Sequence, residues 1–179
     1  MKRVTSILFL FIFLNISAQE INWMSMNEAL EAQKENSKKI MIDVYTTWCK
    51  PCKMLNNRTF QNKKLIKYVN EHFYAVKFNA EGKEEVTYQG FTYTNPNYVE
   101  GRDENQRNNQ HLFAHALKVN TYPTIVFFDE ESNMISPVIG YKTAEQLEIY
   151  LKMIASDDYK DVTTKESWKK YRDDFESTF

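Results

Sequence analysis

Residues 48–52 read Trp48-Cys49-Lys50-Pro51-Cys52 and contain both cysteines of the 179-residue chain. Two thiols at this spacing admit three kinds of chemistry: a structural staple, half of a metal site, or a working redox pair. The staple is weak on energetic grounds. A crosslink between residues three apart closes a very short loop, and the entropic gain falls with loop size to under about 3 kcal/mol. A zinc site would have to draw on His111 and His115, four apart on an expected helix. The interval between that pair and the cysteines far exceeds the roughly 12–15 residues of a zinc finger. Lys53 stands after Cys52, where covalent attachment of a c-type haem needs histidine. No metal and no cofactor is therefore expected.

The redox reading draws on the residues around the pair. KIMIDVY (39–45) is almost wholly apolar and reads as a strand buried on both faces. A short loop follows, and a helix should open near Cys49. The amides and dipole of a helix N-terminus stabilise a thiolate there by about 0.3–1 kcal/mol, which lowers the pKa of the first cysteine. Pro51 falls in the first helical turn, where its missing N–H costs little. Cys49 is expected to be the exposed nucleophile, and Cys52, one turn inward, the thiol that resolves a mixed disulfide.

The remaining elements follow from pattern. Ser25 or Asn27 can cap a helix running to about Asn36. Leu55, Leu65, Ile66, Val69 and Phe73 recur at roughly helical spacing after the motif, and YAVKFNA (74–80) is a second strand. HLFAHALKV (111–119) reads as a short helix and TIVFFD (124–129) as a third strand. After a turn at 130–133, MISPVIG (134–140) is a fourth strand, placed at a sheet edge by Pro137. Thr143 with Gln146 makes a capping box that opens a helix to about Ala155. This order predicts an α/β fold, a mixed central sheet flanked by helices.

Two segments fall outside that core. Residues 81–110 are polar, yet hold Tyr88, Phe91, Tyr93 and Tyr98, and VTYQGFTYT (86–94) alternates around Gln89-Gly90 as a hairpin would. The aromatics of this insertion either form a wall facing a substrate or cover a sheet edge. Residues 158–179 form a helical extension with a capping box at Thr163 and Glu166. Trp168, Tyr171 and Phe175 share one face of it and should dock on the body.

Composition narrows the class. Hydrophobic residues make up 42% and charged residues 26%, as in a soluble globular protein. Lys2 and Arg3, the apolar run Ile7–Leu14 and the small residues before Gln19 have the three parts of a secretory leader over residues 1–18. The apolar run is shorter than the ~20 residues that a membrane span needs. Losing those two cations takes the formal net charge from −1 to −3, without a basic block, which argues against nucleic acid as a partner. A mature chain over 19–157 plus the extension is expected in an oxidising, extracytoplasmic place, with no stable membrane insertion.

Taken together, these residues resemble the thioredoxin superfamily. Trp48-Cys49-Lys50-Pro51-Cys52 is similar to the family's WCxPC motif, with Lys50 in place of a glycine common in cytosolic members. Asp43 matches the family's buried acid, which assists deprotonation of the resolving cysteine, and Lys77 a lysine that neighbours it. Tyr122-Pro123-Thr124 resembles the loop whose proline is cis and faces the cysteine pair. The wording KKIMIDVYTTWCKPCKMLNNRTF is similar to a periplasmic branch, the C-terminal domain of DsbD-type thiol:disulfide interchange proteins. The resemblance implies a thioredoxin-like fold with an insertion before the cis-proline loop. It implies that Cys49, Cys52 and Asp43 are catalytic, that Trp48, Tyr122 and Pro123 bind substrate, and that Lys50, Pro51 and Lys77 support them. The implied activity is reduction of client-protein disulfides, with a membrane-embedded or soluble thiol reductase as electron donor. A disulfide oxidase or isomerase, or a redox-inert binding module, stays open beside it.

Overall fold

Strand β2 (Lys39–Tyr45) has no polar face to offer water, and the fold places it in the middle of the main sheet. The computed structural model describes residues 20–179; the expected leader, residues 1–18, lies outside the described residues. In chain order the elements are β1 (Trp23–Met24), α1 (Met26–Glu35), β2, α2 (Lys50–Asn57), α3 (Lys63–His72), β3 (Phe73–Asn79), β4 (Val86–Tyr88), β5 (Phe91–Tyr93), α4 (Leu112–Ala116), β6 (Thr124–Phe128), β7 (Met134–Ile139), α5 (Ala144–Ala155) and α6 (Lys165–Asp173). The sheet order is β1-β3-β2-β6-β7, with β1 and β2 parallel to β3 and the other pairings antiparallel. Pro137 sits on the edge strand β7, where its missing N–H leaves no inner ladder bond unmade. Among the described residues no helix is long and apolar enough to cross a membrane.

The alternation of a strand sorts the core into two layers. Met41 of β2 joins Leu55, Leu65, Val69, Ile125, Phe127, Leu147 and Leu151 under α2, α3 and α5. Ile40, Ile42 and Val44 face the opposite layer with Met26, Val76, Phe78, Phe113 and Phe128. Asp43 alternates in phase with Met41 and so points to the α2 side.

Two expectations are corrected in detail. The helical spacing after the motif belongs to two helices: α2 ends at Asn57 and α3 begins after Asn62, whose side chain accepts from the amides of Lys64 and Leu65. The two-residue β1 has no strand-length pattern to announce it. At the tail, Thr164 and Ser167 make the capping box, one residue beyond Thr163 and Glu166, because the Ser167 hydroxyl reaches the Thr164 amide. The aromatics of the insertion divide: Tyr88 and Tyr93 pack on Phe113, while Phe91, at the hairpin tip, is 68% exposed.

The extension docks as expected. Trp168 stacks on Tyr150 with centroids 5.4 Å apart, and Tyr171 and Phe175 continue the stack at 6.5 Å spacings. Beyond α6, the last residues wrap Glu148, whose buried carboxylate accepts from the Phe179 amide at 3.0 Å and the Thr178 amide at 2.8 Å. Burial raises the Glu148 pKa, but Lys152, Ser177, Thr178 and the Phe179 amide outweigh it and hold the carboxyl at about 2, against an ordinary 4.5. A depressed carboxylate stabilises the fold above its unfolded pKa, and that contribution is lost as pH falls through the folded one. Glu148→Gln should therefore cost about 2 kcal/mol at pH 7, several degrees in Tm. The gap to wild type should close as melts are repeated from pH 4.5 down to 2. A gap that does not change with pH would show that the tail is not held by this charge.

Candidate active site

The site is assembled where β2 runs out into α2. Cys49 is the N-cap of α2, and its sulfur accepts from the backbone amide of Cys52 at 3.1 Å. Pro51 occupies the first turn, as its sequence position predicts. The two cysteines form a disulfide. Lys50 and Pro51 are exposed to solvent. The expected contrast between an exposed Cys49 and an inward Cys52 is not found: Cys49 is 2% exposed and Cys52 4%. Its surroundings account for this. Trp48 meets Tyr122 edge to face at 6.1 Å, and the insertion reaches both flanks of the motif.

Below the motif lies a buried ion pair. The parallel register sets Asp43 beside Lys77, and their charged atoms are 2.7 Å apart. Asp43 is 1% exposed. Its Oδ2 meets only the Lys77 ammonium, aligned too poorly to count as a hydrogen bond, and Oδ1 has no partner among the described residues. Burial pushes the Asp43 pKa up, with Lys77 opposing the shift through its charge. Lys77 is held in turn by Asn56 Oδ1 at 3.0 Å and lies over the rings of Trp23, Tyr45 and Phe60. A cavity of about 290 Å³ runs from the motif to Lys77 of this pair, with Cys52, Lys77, Asn56 and Thr46 in its lining. The hydroxyl of buried Thr46 likewise has no partner there. This polar pocket can hold water, and water can carry a proton between Cys52 and the Asp43–Lys77 pair.

On the other flank, the Tyr122–Pro123 peptide is cis, as the resemblance implies. The Pro123 carbonyl accepts from the Gly140 amide at 2.8 Å, which ties the loop to the end of β7. Burial pushes the Tyr122 phenol pKa up, and a hydrogen bond from Gln110 opposes it. His111 is distant in role. Its Nδ1 caps α4 by accepting from the Phe113 amide, so its Nε2–H donates to the Glu84 carbonyl; both nitrogens are spent on backbone. His115 is exposed, and the C-x2-C…H-x3-H string does not come together. Among the described residues no group of three or more His, Cys, Asp or Glu side chains is placed to hold a metal ion.

The family profile described as a thioredoxin-like domain matches residues 26–155. The chain belongs to the thioredoxin-like family. Among curated proteins no sequence match was found. Solved structures share the thioredoxin-like fold. A thioredoxin-fold protein from Helicobacter pylori is 22% identical with a TM-score of 0.59, over 84% of each chain. DsbH oxidoreductase is 22% identical with a TM-score of 0.51, over 84% of this chain and 93% of that one. A putative disulphide-isomerase from Bacteroides thetaiotaomicron is 24% identical with a TM-score of 0.51, over 77% and 93%. At these identities the likeness is one of fold.

Several residues of this thioredoxin-like site escaped sequence reasoning. Asn56 lies one helical turn beyond Cys52, so an i,i+4 reading of α2 could have found it. Glu81 accepts from the Trp48 indole at 2.8 Å and from the Asn108 amide at 2.7 Å, and the Arg107 guanidinium lies 4.4 Å over the Trp48 ring. Nothing in the sequence near Arg107 marks it for that place.

Proposed function

We propose that the protein is an extracytoplasmic disulfide reductase working through Cys49 and Cys52. The observation that carries this reading is the Cys49 sulfur at the cap of α2, accepting the Cys52 amide above a cavity that reaches Lys77, the ion-pair partner of a buried carboxyl with a raised pKa. The Cys49 thiolate attacks one sulfur of a client disulfide, and the other client sulfur leaves with the electron pair. Cys52 gives up its proton through cavity water to Asp43, then attacks Cys49. The client departs as a dithiol and the Cys49–Cys52 disulfide forms, two electrons having passed. Trp48, Tyr122 and Pro123 position the client strand, while Lys50, Pro51 and Lys77 support the thiols. A thiol reductase, soluble or membrane-embedded, returns the electrons. The leader-like residues 1–18 support export of a chain in which 19–157 form the domain and 158–179 an extension.

Lys50 favours a second reading, the same chemistry run as an oxidase or isomerase. A cation beside Cys49 stabilises its thiolate, hence the reduced state, and raises the reduction potential. Equilibration in graded dithiol buffers, with alkylation read by mass, decides between them. A potential at or below about −230 mV is expected for the reductase, whereas one above about −180 mV would establish the oxidase or isomerase.

A further inference from the structure

Exchange at a disulfide needs a clear line to its sulfur, and a Cys49 that is 2% exposed offers none. The segment 99–108 lies across both flanks of the motif. Arg107 covers Trp48, the residue before Cys49, at 4.4 Å, and Asn105 Oδ1 accepts from Lys53, the residue after Cys52, at 3.5 Å. Glu104, the residue before Asn105, lines the cavity at Cys52. The segment closes on itself. At its neck the Asn108 side chain accepts from the Val99 amide and donates to the Val99 carbonyl, each at 2.9 Å. Its tip is a turn from Asp103 to Gln106, further tied by Arg102 to the Arg107 carbonyl. A loop bonded chiefly within itself, with a fixed neck and light ties at the tip, can swing as a unit.

We propose that residues 99–108 are a hinged strap closing over Cys49–Cys52, with Arg107 on Trp48 as its latch, and that its opening decides which thiols reach the Cys49 sulfur. Glu81 is the fixed post, joining the Trp48 indole to the neck at Asn108. The proposal rests on the exchange chemistry above. Reduction by a dithiol runs in two steps. A donor thiolate bonds to the Cys49 sulfur while Cys52 leaves with the electron pair and takes up a proton. The donor's second thiolate then displaces Cys49, leaving a donor disulfide and the Cys49–Cys52 dithiol. The strap stands in the way of the first step.

The test follows reduction of the oxidised full chain by dithiothreitol in stopped flow, with thiols read by alkylation and mass. Arg107→Ala removes one exposed cation–π contact and should speed reduction about two- to fivefold. Replacing Arg102–Gln106 by two glycines removes the tip and should speed it by about tenfold or more, with the equilibrium position unchanged. A positioning or supporting residue would slow the reaction when removed; a latch must speed it. Rates equal to or below wild type in both variants, with exchange still running, overturn the strap and leave the oxidoreductase reading intact. A pair that dithiothreitol cannot reduce in any of the three proteins overturns both. If the shortened chain fails to fold, Arg107→Ala, a surface substitution, decides alone.

Discussion

Cys52→Ser is expected to stop exchange at its midpoint, with a client protein held covalently on Cys49. The amide that serves Cys49 belongs to the backbone of residue 52, so the cap of α2 survives the substitution and the attacking thiolate keeps its stabilisation. Serine oxygen cannot displace sulfur from a mixed disulfide, so the adduct accumulates. Non-reducing electrophoresis of protein recovered from an exporting host should show adducts that collapse with dithiothreitol. Cys49→Ser should trap nothing and lose disulfide reduction to the uncatalysed rate. The near-equal burial of the two cysteines gives this test its edge. Adducts on Cys49→Ser and none on Cys52→Ser would reverse the roles. Full biological activity in Cys49→Ser would end the redox reading and leave a binding module.

The parts of the site readable in the sequence are those that local chemistry dictates. A two-faced apolar strand must be central, a Pro in a first turn marks a helix start, and a capping box sets a helix boundary to within a residue, as Thr143 with Gln146 does. Asp43 could be placed on the α2 side by strand alternation alone. Its partner Lys77 depended on parallel register between β2 and β3, which no local signal fixes. The two-residue β1 depends on pairing to β3 and lacks any pattern of its own. The packing of the insertion carries no readable pattern for the same reason. Its aromatics are sorted by tertiary packing, Tyr88 and Tyr93 into the core and Phe91 out to solvent, although all three sit on one short hairpin. Arg107 reaches Trp48 only because asparagine side chains fold the polar loop back on itself, and polar residues in a loop carry no periodicity to read.

Asp43→Asn should stabilise the fold at neutral pH while slowing catalysis, and the two effects share one cause. Burial raises the Asp43 pKa from its ordinary 3.8, so the folded chain binds a proton that the unfolded chain has released. For a raised acid the contribution is fully present below the unfolded pKa and is lost as pH rises through the folded one. Within that window wild-type stability should fall by about 1.4 kcal/mol per pH unit from this group alone, and the asparagine variant should not follow it. Above the window the wild type carries a buried carboxylate with one cation and no hydrogen bond. Neutralising it should remove that desolvation cost and raise stability. Lys77 bears the change well, because Asn56 and three aromatic faces hold it and its side chain is 24% exposed. The same substitution removes the acceptor for the Cys52 proton, so release of the mixed disulfide should slow by about a hundredfold, with the alkaline rise in its pH–rate profile displaced. Denaturant titrations at several pH values and single-turnover release measure the two arms. A variant that is less stable than wild type and just as fast would show that Asp43 serves the ion pair and nothing else.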